Sequence, residues 1–82
     1  MIDIGEMERT SRQIRAILAG RDPRAQSAIL AELLSIWVAG LHPLLRAQLL
    51  TDHIALVQRL IPVSEKEMFG PKGHPGWTQT AQ

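Results

Sequence analysis

The chain has 82 residues, a formal net charge of +1, 45% apolar residues and no cysteine. That is room for one domain, without disulfides or thiolate metal sites, and the small net charge gives little support to strong binding of nucleic acid or acidic membranes. The most apolar stretch, residues 28–45, is interrupted by Glu32, Ser35, Gly40, His42 and Pro43, so it does not read as the run of about 20 apolar residues that spans a bilayer.

The apolar residues are mostly Leu, Ile and Ala, and the chain has no Tyr, one Phe and two Trp. This composition favours helix over strand. The expected class is all-α: a small helical bundle with a long antiparallel helical hairpin, an N-terminal helix and a short C-terminal helix.

Residues 1–8 carry Asp3, Glu6 and Glu8 without a base. They show no clear period and are expected to fray. Their acidity, with no basic segment ahead of an apolar one, is unlike a secretory leader, and the cytoplasm is the expected location. The bias of Arg over Lys, seven to two, fits a GC-rich bacterial coding sequence.

Thr10 and Gln13 have capping-box spacing, and Ile14, Ile17 and Leu18 then make a one-sided stripe. A first helix is therefore expected over residues 9–19, ended by Gly20. Asp22-Pro23 is a stronger start signal, because Asp caps free backbone amides and Pro suits the first helical position. The second helix is expected from Pro23 to Ala39, with Gly40 as the residue that closes it. Ile29, Leu30, Leu33, Leu34, Ile36, Trp37 and Val38 cover more than half its circumference, wider than an ordinary surface stripe. That width predicts a central helix, touched on several sides.

Leu41-His42 is a very short link, which favours an antiparallel hairpin. His42 is expected to satisfy backbone groups at that turn. Pro43 opens a third helix, which Pro62 should stop near Leu60 or Ile61. One stripe of this helix is Ala47, Leu50, Ile54, Val57 and Ile61; another is Leu45, Leu49, Leu56 and Leu60. Between the stripes lie His53 and Arg46, read as a half-buried histidine and an arginine reaching for water. Ser64 and Glu67 have capping-box spacing, with Val63 and Met68 placed as a hydrophobic staple. A short fourth helix, residues 65–69, should follow and fold Met68 and Phe69 back as a lid. The helical domain thus spans residues 9–69. Two Pro and two Gly among residues 71–76 predict a flexible tail over 70–82.

No catalytic, metal or cofactor site is expected. His42, His53 and His74 do not share helical spacing, and a metal needs three or four convergent ligands. No serine has a nucleophile-elbow context and no glycine run makes a phosphate loop. The reading is a small non-enzymatic protein-interaction module. It would act as a homodimer or as a regulatory protein on another protein, through Leu30, Leu34, Trp37, Leu41, Leu45, Leu49, His53 and Leu56. Trp37 would be its anchor, and Glu32 a charge at the rim. The alternative is a small nucleic-acid-binding transcriptional regulator, with Arg9, Arg12 and Arg15 of the first helix tracking phosphates. A further option is an accessory subunit whose tail docks through Trp77.

Overall fold

Asp3 caps the first helix, which begins at Ile4, five residues ahead of the expected position. Its carboxylate accepts the Glu6 backbone N–H at 3.1 Å, and its carbonyl accepts the Met7 N–H at 2.9 Å. These bonds satisfy amides that would otherwise lack partners at a helix start. The structure, a computed structural model, describes residues 2–77. They form three α-helices, α1 (Ile4–Leu18), α2 (Pro23–Ala39) and α3 (Arg46–Phe69), with a 3-10 turn at Pro43–Leu45 before α3. The chain is all-α, with no strand among the described residues. It divides within α2, between Trp37 and Val38, into two units.

In the first unit, Ile4–Glu8 are helical rather than frayed, and Thr10 lies inside the helix instead of capping it. Asp3 and Glu6 have the spacing of a cap and its third-residue acid. The added turns bring Ile4 and Met7 into line with Ile14 and Leu18. The C-terminal end of α1 is held by side chains. Arg21 Nε donates to the Ile17 carbonyl at 3.0 Å and Gln26 Nε2 to the Leu18 carbonyl at 2.9 Å. Gly20 makes the reversal at φ 78°.

Helix α2 has the expected bounds. Asp22 Oδ1 accepts the Arg24 N–H at 2.7 Å, while Pro23 needs no partner. Gly40 does not take a left-handed conformation; the Leu41 N–H instead bonds to the Val38 carbonyl at 3.0 Å.

In the second unit, His42 Nδ1 accepts the Leu44 N–H at 3.2 Å, which is the backbone role expected of it. Arg46 does not simply reach for water. Its Nη2 donates to the Ala39 carbonyl at 2.9 Å and its Nε to the Leu41 carbonyl at 3.2 Å. A guanidinium suits this task because its donors lie in one rigid plane. It supplies bonds to carbonyls that the end of a helix leaves unpaired.

Pro62 does not stop α3, which continues to Phe69. The separate fourth helix is therefore absent, and Ser64 and Glu67 lie mid-helix rather than capping. A proline inside a helix removes one bond, here to the Gln58 carbonyl, and costs about 3 kcal/mol. A full break would leave amides and carbonyls unpaired on both sides. The helix closes at Gly70, whose N–H reaches the Lys66 carbonyl at 2.8 Å with φ 87° and ψ −173°.

No described residue is buried. Helix α2 is consequently not the enclosed central helix its composition predicts. Ile29, Leu34 and Val38 are half-buried, while Leu30, Leu33, Ile36 and Trp37 are exposed.

Candidate protein-interaction surface

Each unit presents its own apolar groove. In the first, Ile2, Met7, Ile14 and Leu18 of the α1 side and Leu30 of α2 line an open groove. Asp3 and Glu6 edge it at the start of α1 and Arg15 nearer the end. Helical spacing aligns these apolar side chains, because 3.6 residues per turn returns positions 7, 14 and 18 to one face. Ile2 is 74% exposed and Met7 52%, so the groove is largely uncovered.

The second groove lies along the last turns of α3, with Val57, Leu60, Ile61, Met68 and Phe69 as apolar lining and Trp77 closing it. Residues 70–77 give this groove its shape, folding back where the sequence suggests a flexible tail. Gly70 and Gly73 turn the chain in left-handed conformations at φ 87° and 75°, and the Gly73 N–H bonds to the Gly70 carbonyl at 3.0 Å. Glu65 Oε2 then accepts two donors, the Trp77 indole Nε1–H at 2.7 Å and the His74 backbone N–H at 3.2 Å. His74 also stands edge-on to Phe69, ring centroids 4.8 Å apart and planes at 72°. This arrangement suits the aromatic quadrupoles. His74 Nδ1 accepts the Gly76 N–H at 2.8 Å, so this exposed histidine also organises the turn. Residues 78–82 of the expected tail lie outside the described residues. Met68 and Phe69, expected to form a lid, sit instead on the final turns of an unbroken α3.

The residues expected at the interface fall on two helical faces. On α2, Leu30, Leu34 and Trp37 recur at helical spacing; Leu34 is half-buried and the other two are exposed. Leu41 follows in the turn, half-buried. Leu45 ends the 3-10 turn, and Leu49, His53 and Leu56 continue its line on α3, with Leu49 and His53 half-buried. Arg9, Arg12 and Arg15 are all exposed along α1, as is Glu32 on α2. Arg15 lines the first groove, which places that guanidinium at an apolar edge.

Sequence reasoning missed the Glu65–Trp77 pair and the α3 groove. The pair spans twelve residues across a Pro/Gly segment, beyond the reach of helical periodicity. The Asp3-x-x-Glu6 spacing was a visible signal for the longer α1.

Among the described residues no group of three or more His, Cys, Asp or Glu side chains could hold a metal ion. No described helix is long and apolar enough to cross a membrane. Comparison with known protein families, characterised proteins and solved structures finds no match to this chain.

Proposed function

We propose that this chain is a protein-interaction module whose hydrophobic core is completed by association, with a second copy of itself as partner. One observation carries the reading: no described residue is buried, while large apolar side chains on all three helices are exposed. Hydrophobic burial is the main favourable term in folding, and here the single chain leaves most of it unused.

In this reading α2 and α3 close as an antiparallel hairpin, and two hairpins make a four-helix arrangement. Leu30, Leu34, Trp37, Leu45, Leu49 and Leu56 enter the shared core, and Trp37 is the largest anchor. Chemistry is not part of the reading, and the cytoplasm is its expected setting.

Light scattering across a wide concentration range tests it directly. A mass of two chains, with Trp37→Ala or Leu49→Asp shifting the population to monomer, supports the proposal. A folded monomer at every concentration contradicts it. The exposed Arg9, Arg12 and Arg15 row gives the competing nucleic-acid reading its own test. That reading requires a salt-sensitive mobility shift lost in Arg12→Glu/Arg15→Glu; the interaction reading predicts no shift at low salt.

A further inference from the structure

His74 ties the segment after α3 together through three contacts of different kinds. Its backbone N–H bonds to Glu65 Oε2 at 3.2 Å, its ring stands edge-on to Phe69, and its Nδ1 accepts the Gly76 N–H at 2.8 Å. The last contact fixes the state of the ring. Nδ1 accepts only while it carries no proton, so the imidazole in this arrangement is neutral, with its N–H at Nε2. Gly76 lies close against it, and a Cβ added there would stand 2.8 Å from Nδ1. Trp77 follows directly, its indole N–H on the same Glu65 Oε2 at 2.7 Å.

A proton on Nδ1 is incompatible with this turn. Imidazolium has donors on both nitrogens and no acceptor, so the ring N–H and the Gly76 N–H would oppose each other across 2.8 Å. The ring must turn away. Glu65 is the charged residue that lines the α3 groove together with His74; Lys66 and Lys72 line a separate depression that His74 does not line. The displaced imidazolium therefore meets a carboxylate that already accepts its own backbone N–H. A charge-assisted hydrogen bond is about twice as strong as a neutral one, so the imidazolium outcompetes the indole for that oxygen.

We propose that His74 is a proton-operated release for Trp77. The neutral ring closes the turn over residues 74–77 and leaves Glu65 to the indole. The protonated ring gives up Gly76, takes the carboxylate and frees Trp77. The α3 groove then loses the wall that Trp77 supplies. Histidine is the side chain whose charge ordinarily changes between about pH 5 and 8, so mild acidification is the trigger. The release is independent of the interaction-module reading, because every contact it uses lies within residues 65–77.

The full-length Trp37→Phe chain keeps Trp77 as its one tryptophan. Emission and anisotropy are followed from about pH 8 to about pH 5.5, above the ordinary glutamate range. The expected result is a shift toward the signal of the Glu65→Ala variant, matching a change of about fivefold in the ratio of latched to released Trp77. His74→Asn is the control. Its side-chain oxygen accepts the N–H two residues on, as asparagine does in turns, and does not titrate. Trp77 should therefore stay latched across the whole range in that variant. His74→Lys, which has no acceptor, should read as released already at the alkaline end. A signal that does not change with pH in the parent chain overturns the proposal. The same pH response in His74→Asn also overturns it, because the titrating group is then another residue. So does a Trp77 that stays latched in His74→Lys.

Discussion

Glu65 and Trp77 are joined by a 2.7 Å hydrogen bond from the indole Nε1–H to the carboxylate Oε2. This bond ties the segment after Gly70 back onto the last turns of α3, twelve residues apart in the chain. It also accounts for the form of the groove at that end, because Trp77 supplies one of its walls.

Glu65→Ala should release Trp77 while leaving the helices intact. The bond is solvent-exposed, so its loss should cost about 1 kcal/mol or less in global stability. In a Trp37→Phe background, Trp77 fluorescence should become that of a solvated, mobile indole. Unchanged emission and anisotropy would contradict the fold-back.

The three left-handed glycines should rank differently on substitution by alanine. At Gly20 an added Cβ would meet only open space, but φ is 78°, so Gly20→Ala should cost about 1–2 kcal/mol from backbone strain alone. At Gly73 an added Cβ would meet the Glu65 carboxylate, so Gly73→Ala should also break the Trp77 latch. Gly70 combines φ 87° with ψ −173°, a region nearly exclusive to glycine. Gly70→Ala should therefore displace the whole segment. Trp77 fluorescence and amide exchange at residues 70–77 separate the three cases.

Pro62→Ala should strengthen α3. It restores an N–H for the Gln58 carbonyl and removes a ring clash, together worth up to about 3 kcal/mol. Circular dichroism should show higher melting temperature and helix content. Ser64→Ala should be nearly neutral, because Ser64 is mid-helix. A loss near 1 kcal/mol in that variant, the usual value for a lost cap, would mean that the helix breaks at Pro62 after all.

Arg46→Ala should loosen the turn between α2 and α3 by removing both guanidinium bonds to the Ala39 and Leu41 carbonyls. The expected cost is about 1 kcal/mol, because one of the two bonds is exposed and the other only part-buried. Arg46→Lys should recover little of it, because an ammonium lacks the planar fork. Hydrogen exchange over residues 40–46 measures the effect.

Features with local causes were legible in the sequence. Asp22-Pro23 marked the start of α2 correctly because a cap and a fixed φ act within one turn. His42 was placed at its backbone task for the same reason. Pro62 misled because helix continuity on both sides outweighed one local defect. The Glu65–Trp77 latch was invisible because its partners meet through a turn without periodicity. Of the expected interface, the α2 and α3 stripes follow helical spacing. The apolar wall of α1 was cut short by starting that helix at residue 9, which hid Met7 and the acidic edge beside it.

The central claim is that this chain buries its apolar surface against a partner chain. The most direct measurement is helix content and melting temperature as a function of concentration, with mass from light scattering on the same samples. The expected result is a dimer whose melting temperature rises with concentration, as mass action requires when association stabilises the fold. A monomeric mass with a concentration-independent, cooperative melt would contradict it.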